Sequence, residues 1–134
     1  MARKKLPPAK DWRARELKDW TAVTFHEYMK DRHKELYGTS YVARSIPIQN
    51  RNIKWMCEQY GKDVTKRFID LCFQNYKPSG KYAGANFMFF FTYLRERYLP
   101  IAERQIEKER KFAEQQQQQQ KISDDDINKI IDLF

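Results

Sequence analysis

The sequence predicts an all-α fold: a compact domain of four or five helices with a basic N-terminal arm and a short C-terminal tail. Apolar residues recur at helical spacing in several segments. The chain is 41% hydrophobic and 15% aromatic, so a core can form, and 134 residues allow one domain and a tail. We divide the chain into a basic arm at 1–11, a helical domain at 12–112, a glutamine-rich linker at 113–122 and an acidic, apolar tail at 123–134.

The first helix is predicted over residues 24–37. Thr24 and Glu27 have the spacing of a capping box, in which each side chain accepts a backbone N–H at a helix start. Apolar residues then follow the helical period, and Gly38 stands where a left-handed cap is usual. His26 and His33 lie seven residues apart on one face, and we interpret them as a partly exposed pair rather than as metal ligands.

Two further helices are predicted at 48–60 and 63–76, after a loop at 39–47. The first stops at Gly61, and Asp63 can cap the second. The pair could form a helix-turn-helix, with Thr65, Lys66, Arg67 and Gln74 pointing outward, or could simply pack in the core.

Residues 87–99 are predicted to form a central helix, apolar on all sides and buried, after a surface loop at 77–84. The aromatic run from Phe87 to Tyr93 also has high β propensity, so a strand is one alternative. A stacking platform or a partner groove is another, but residues that face every direction on a helix normally lie inside. Pro100 fits a kink or the first turn of a new helix. Further along, the six glutamines Gln115–Gln120 are typical of a frayed helix or a linker.

Catalysis and cofactor binding have no visible residue pattern. The chain contains no Gly-x-Ser-x-Gly elbow and no glycine-rich phosphate loop, and Cys57 and Cys72 form no metal-binding motif. We therefore expect a protein that is not an enzyme and that has no metal, cofactor or small-molecule substrate. We also expect a cytoplasmic location, since no segment has the apolar length of a secretory signal or a membrane span.

The charge predicts an anionic partner. Lys and Arg number 26 against 18 Asp and Glu, a net charge of +8. Clustered cations bind phosphates, and exposed rings stack on unpaired bases. We therefore expect DNA, single- or double-stranded, as the partner of the following residues: Arg3, Lys4, Lys5, Lys10, Arg13, Arg15, Arg44, Arg51, Lys54, Lys66, Arg67, Lys77, Lys81 and Tyr82.

Two alternatives to DNA binding remain open. In the first, RNA is the partner, because Tyr41 and Tyr82 lie in basic loops and could stack on its bases. In the second, the chain regulates a polymerase or a helicase by protein contact alone, with its positive surface meeting an acidic partner.

The C-terminal residues predict a site for a protein partner. An aliphatic and an aromatic residue at the end of an acidic segment, after six glutamines, are available for a partner's pocket. The alternative is a short helix, capped by Ser123, that docks back on the body. The predicted partner-binding residues are Ile130, Ile131, Asp132, Leu133 and Phe134.

These five residues resemble the sliding-clamp-binding peptides of bacterial and phage replication proteins, whose typical form is Gln-Leu-Ser/Asp-Leu-Phe. The likeness lies in Asp132, Leu133 and Phe134 and extends to Ile131, whereas Ile130 stands where the family has glutamine. It implies that the tail docks on a sliding clamp.

The body resembles small helical phage proteins that assist replication or transcription. The residues that carry this likeness are Ile53-Lys54-Trp55, Tyr60-Gly61 and Phe68-Ile69-Asp70, followed by the aromatic helix. The resemblance implies an accessory role in replication or transcription, in the bacterial host's cytoplasm if the protein is phage-encoded.

Overall fold

The computed structural model describes residues 5–77 and 84–133, and within these ranges the chain forms helices and turns but no strand. A 3-10 turn at Leu17–Asp19 precedes three helices: α1 at Ala22–Tyr37, α2 at Ile46–Tyr60 and α3 at Lys62–Asn75. The predicted all-α fold is confirmed.

The fourth helix, α4, consists of three consecutive segments. An α-helical turn at Phe87–Phe89 leads into a π-helical turn at Phe90–Leu94, and an α-helix follows at Arg95–Asp132. The chain separates into two compact units, Met1–Glu103 and Arg104–Phe134, and each is described by itself below. None of the helices in the described residues has the length and apolar character that would let it cross a membrane.

Helix α1 begins two residues earlier than predicted. Its N-cap is Thr21, whose backbone N–H donates to Oγ1 of Thr24 at 3.1 Å. Thr24 therefore takes the third helical position of the capping box, where the prediction had placed Glu27. At the other end the prediction is confirmed, since Gly38 has the left-handed φ of 70°.

Helix α2 also begins earlier than predicted, at Ile46. Pro47 lies in its first turn. Backbone N–H groups there have no acceptor within the helix, so a proline costs no helical hydrogen bond. Gly61 ends α2 as predicted, and its positive φ of 93° lets α3 start at the next residue, Lys62.

The core of the first unit comes from all four helices. Helix α2 packs on α1 and α3, and α3 also packs on the π-helical turn of α4. Each fully buried phenylalanine or methionine contributes about 1.5–3 kcal/mol by leaving water. The fully buried apolar side chains are Phe25, Met29, Ile53, Met56, Phe68, Ile69, Cys72, Phe87, Phe90 and Ala102.

The aromatic run of α4 is helical, as predicted, but the prediction that it is buried on all sides is wrong. Phe87 and Phe90 are fully buried, whereas Phe89 is 37% and Tyr93 70% exposed. Neighbouring elements cover one face of this part of α4, so consecutive aromatic residues cannot all point inward.

The second unit is helical from Arg104 to Asp132 and includes the glutamine run Gln115–Gln120. The sequence predicts a frayed helix or a linker for that run, and in the structure the run is helical throughout. The predicted segment boundaries at residues 11, 112 and 122 stay predictions. The exposed apolar residues of this unit are Phe112, Ile122, Ile127, Ile130, Ile131 and Leu133.

Candidate nucleic-acid interface

A groove in the first unit is the candidate site. It has a cavity volume of about 750 Å³, within the range of about 300–1,000 Å³ that is usual for ligand sites. The loop between α1 and α2, the end of α3 and the start of α4 form its walls. Its lining residues are Arg44, Tyr76, Lys77, Gly84, Asn86, Met88, Phe89, Thr92 and Tyr93.

Three aromatic rings stand in a row along this groove. The ring centroids of Tyr76 and Phe89 are 5.5 Å apart, and those of Phe89 and Tyr93 are 5.2 Å apart. The hydroxyl of Tyr76 donates to the carbonyl oxygen of Gly84 at 3.0 Å, which fixes that end of the row. Tyr93 forms the exposed end, so its ring face is open to a ligand.

Two cations lie in the same groove, and the surrounding sequence has no acid to neutralise them. The segments 36–57 and 71–95 contain no Asp or Glu. Within the part of the chain that the structure describes, Arg44 and Lys77 form no ion pair with a carboxylate. Their positive potential is therefore available to an anionic ligand.

Buried His33 connects two walls of the groove. Its Nδ1 lies 3.0 Å from the carbonyl oxygen of Thr39, and its Nε2 accepts the backbone N–H of Ala85 at 3.1 Å. The neutral ring with its proton on Nδ1 satisfies both contacts. The interpretation of His33 as partly exposed is wrong, because the residue is only 2% exposed.

Gly84 is required where the groove wall passes His33. A Cβ atom at this position would lie 2.2 Å from Nε2 and 2.5 Å from Cε1 of the imidazole. Glycine alone lets the backbone approach the ring so closely. The sequence at this position is thus explained by the connection to His33.

A second set of hydrogen bonds joins α1, α2 and α4 behind the groove. The hydroxyl of Tyr41 accepts the backbone N–H of Phe87 at 2.8 Å and donates to Oε1 of Gln49. Nε2 of Gln49 lies 2.7 Å from Nδ1 of His26, which accepts its proton. Burial lowers the pKa of His26, with Lys30 lowering it further and Glu27 opposing the shift. The neutral, accepting form is therefore favoured.

Helices α2 and α4 also meet beside the groove. Asn52 donates from its side chain to the sulfur of Met88 at 3.4 Å, and the rings of Trp55 and Phe91 contact edge to face. The guanidinium of Arg95 lies 4.1 Å from the centroid of the Phe91 ring. This surface thus has a cation beside aromatic rings, as the groove does. All of its residues belong to the two segments that lack Asp and Glu.

Two of the predicted cations of the N-terminal region, Arg13 and Arg15, have partners in their own chain. Arg13 contacts Asp31 at 3.2 Å and Glu35 at 3.3 Å. Arg15 donates to the backbone carbonyls of Pro7 and Asp19. Both side chains thus hold this region in place, whatever else they bind.

Some of the α3 residues that were predicted to point outward do not do so. Thr65 is fully buried, and its hydroxyl donates to the carbonyl of Gly61 at 2.8 Å, so its outward placement is wrong. Lys66 pairs with Asp70 at 2.9 Å and lies 4.9 Å from the Tyr28 ring centroid. These contacts favour core packing of α2 and α3 over a helix-turn-helix.

The other predicted contacts are either exposed or outside the described residues. The exposed cations are Lys5, Lys10, Arg51 and Lys54. Arg67 is half-buried and takes part in an interaction. Arg3, Lys4, Lys81, Tyr82 and the terminal Phe134 lie outside the described residues.

Tyr41 does not have the role that the RNA interpretation gave it. Its hydroxyl is used by Gln49 and Phe87, so the side chain supports the groove wall. Burial raises the pKa of this hydroxyl, which keeps it protonated and able to donate.

Of the predicted tail residues, four lie in the described part of the chain. Ile130, Ile131 and Asp132 belong to α4, and Leu133 follows in a turn whose N–H donates to the Ile130 carbonyl at 3.2 Å. Leu133 is 82% exposed, and the other three are also exposed. The tail is thus a helical end with apolar side chains open to contact.

Metal and thiol chemistry have little support in the described ranges. No group of three or more His, Cys, Asp or Glu residues is placed there to hold a metal ion. Cys57 and Cys72 are both free, and burial raises the pKa of each thiol, which disfavours the reactive thiolate.

The aromatic part of the groove is not among the predicted site residues. Tyr76 is predicted only as part of a helix, and the run that contains Phe89 and Tyr93 as buried core in preference to a stacking platform. A signal for them is present in the chain, since all three lie in the segment 71–95, which combines cations and rings with no acid. Such a segment indicates a surface for an anionic, aromatic ligand more specifically than the number of cations does.

Comparison of the chain with protein-family models, curated proteins and solved structures gave no match. We therefore infer function from the residues of the groove and of the C-terminal helix.

Proposed function

We propose that this protein is a non-enzymatic DNA-binding accessory protein whose C-terminal residues dock on a protein of the replication or transcription machinery. The observation that carries this proposal is the groove, where Arg44 and Lys77 lie beside exposed rings on an acid-free surface. Counterion release from DNA phosphates supplies the binding free energy. A sliding clamp is the candidate protein partner, from the likeness of residues 130–134 to clamp-binding peptides.

The distribution of charge supports the assignment of DNA binding to the first unit. Residues 1–103 contain 20 Lys and Arg against 11 Asp and Glu, a net charge of +9. Residues 104–134 contain six against seven, a net charge of −1. A polyanion is therefore attracted to the first unit and not to the second.

The exposed apolar side chains of the tail support the protein-docking role. Ile130, Ile131 and Leu133 are large aliphatic residues exposed at the end of α4. Removal of such apolar side chains from water in a partner's pocket favours association. Joined in one chain, a DNA contact and a protein contact strengthen each other through effective concentration.

DNA binding is tested by charge reversal in the groove. We expect Arg44→Glu with Lys77→Glu to weaken binding of a fluorescent DNA at least tenfold at about 0.15 M salt and to reduce the slope of log K against log salt. Lys108→Glu with Lys121→Glu is the control, because it changes the net charge equally in the second unit. A flat salt response of the wild-type protein, or equal losses in both variants, contradicts the proposal.

Partner docking is tested by removing residues 130–134. We expect the truncated protein to lose recovery of the host's sliding clamp in a pull-down and to keep its DNA affinity within about twofold. Phe112→Ala is the control, since it removes another exposed apolar side chain of the same unit. Loss of DNA binding and of folding on truncation would instead show that the tail is part of the folded body.

A further inference from the structure

The row of rings in the groove calls for a ligand with flat faces. Phe89 and Tyr93 are one helical turn apart on α4, and their ring planes are inclined by 44°. Tyr76 contacts Phe89 edge to face and is anchored by its hydrogen bond to Gly84. Because the row is held at one end, its rings are already placed for stacking before a ligand arrives.

The exposure of Tyr93 follows from the helix that carries it. Residues Phe90–Leu94 form a π-helical turn, in which Phe90 is buried and Tyr93 is exposed. Such turns are rare and frequently occur at functional sites. An aromatic ring exposed to 70% beside a cavity gains free energy if a second flat group covers it.

Polar groups around the rings match a nucleotide backbone. Arg44 and Lys77 can pair with phosphates, and Thr92, whose side chain carries a hydroxyl, lines the same cavity. The side-chain oxygen of Asn86 accepts the N–H of Phe89 at 2.9 Å, so its NH₂ group is the part that can donate to a ligand. Groups that can bind an anion and groups that can stack on an aromatic ring therefore lie side by side.

We propose that this groove binds single-stranded DNA, with an unpaired base stacked on Tyr93 and Phe89 and the flanking phosphates held by Arg44 and Lys77. In a duplex the faces of the bases are hidden in the stack, so a duplex could use the two cations but not the rings. This inference rests on the proposed DNA-binding function and specifies the strand form that the groove selects.

The experiment compares two DNA forms and two substitutions of one residue. Fluorescence anisotropy gives the affinities for an oligothymidine of about 12 nucleotides, within the usual site size for single-strand binding, and for a duplex of the same length. We expect Tyr93→Leu to weaken single-strand binding at least about fivefold, the effect of losing one stacked base. Tyr93→Phe keeps the ring and should stay within about twofold of the wild-type affinity.

The controls separate stacking from charge and from folding. Phe112→Leu removes an exposed ring outside the groove and should change neither affinity. An oligonucleotide with a central 2-aminopurine, whose fluorescence falls when the base stacks, should respond to the wild-type protein and not to Tyr93→Leu. Circular dichroism of each variant verifies that the helices are intact.

Five outcomes would overturn the inference, and two of them, failure to bind either DNA form and preference for RNA, also overturn the proposed DNA binding. If the wild-type protein binds neither DNA form, DNA binding itself fails. If it binds duplex at least as well as single strand, or if Tyr93→Leu has no effect, DNA binding stands and the stacking site fails. Preference for an oligouridine RNA excludes the assignment to DNA, and displacement of the oligonucleotide by equal charge of polyglutamate shows a purely electrostatic or peptide-binding groove.

Discussion

Arg13 and Arg44 are both exposed arginines of the first unit, but their surroundings differ completely. Arg13 lies between Asp31 and Glu35 and stacks over Trp12 at 4.2 Å. Arg44 lies in the groove and has no carboxylate partner among the described residues. Residues 11–35 contain six acids, and residues 36–57 contain none. The absence of acids near a cation, more than the number of cations, therefore indicates where a polyanion can bind.

The largest expected effect concerns the close contact between Gly84 and His33, which connects two walls of the groove. Gly84→Ala places a methyl group against His33 and separates its Nε2 from the N–H of Ala85. Overpacking together with an unpaired buried N–H should lower the free energy of unfolding by about 2–4 kcal/mol. Urea unfolding measures this loss.

Gly38→Ala is the matched control for that substitution. Gly38 has a left-handed φ of 70°, but a Cβ atom there meets nothing within 4 Å. Only the backbone strain of about 1 kcal/mol is expected. An effect of Gly84→Ala no larger than that of Gly38→Ala would contradict the role of His33 as the connection between the two walls.

The next effect sharpens the contrast between the two arginines directly. Arg44→Ala should weaken DNA binding about three- to tenfold and leave the unfolding free energy unchanged. Arg13→Ala should lower the unfolding free energy by up to about 1 kcal/mol, because it removes two exposed ion pairs, and should change DNA affinity less than twofold. Anisotropy and urea titrations on both variants measure the four values. If the two arginines exchange these roles, the comparison is wrong.

The sequence predicted the helices of this fold because their signals are local. Gly38 and Gly61 end α1 and α2 as expected, and apolar spacing located all four helices. The starts of α1 and α2 were missed by two residues, since Thr24 acts at the third position and Pro47 fits a first turn as well as a loop. Caps of this kind are ambiguous when several candidate residues follow one another.

The groove could not be predicted in the same way, because its walls are brought together by tertiary contacts. Arg44, Lys77 and Tyr93 lie far apart in sequence and come to line one groove only when α2 and α3 pack against α4. Which face of the aromatic run remains exposed depends on where α3 covers it. Burial of His33 and the placement of Gly84 against it are likewise long-range results.

A smaller effect concerns the hydrogen bonds behind the groove and depends on pH. Burial lowers the pKa of His26 below 6.5, so the folded protein binds fewer protons at this residue than the unfolded chain. Its stabilising contribution is therefore complete above pH 6.5 and falls as the pH decreases through that value toward the lower folded pKa. A protonated His26 cannot accept the hydrogen bond from Gln49, so we expect the free energy of unfolding to fall by about 0.5–1.5 kcal/mol.

His26→Gln isolates this contribution, because the amide can accept from Gln49 without titrating. We expect the wild-type protein to lose stability relative to this variant between about pH 7.5 and 5.5, as measured by urea unfolding. Histidine NMR signals should show the midpoint of His26 below 6.5. A relative gain of stability on acidification would mean that the protonated form is favoured in the folded state.

The smallest effect is expected from the exposed cations of the arm. Lys5 and Lys10 are exposed, and among the described residues neither forms an ion pair or contacts a ring. If they act on DNA only through the long-range field, Lys5→Ala with Lys10→Ala should weaken binding less than about twofold at 0.15 M salt, where that field is screened over about 8 Å. The same pair should matter more at low salt. A tenfold loss at 0.15 M would instead place DNA phosphates on the arm, and the acid-free groove would then be one of two contact regions.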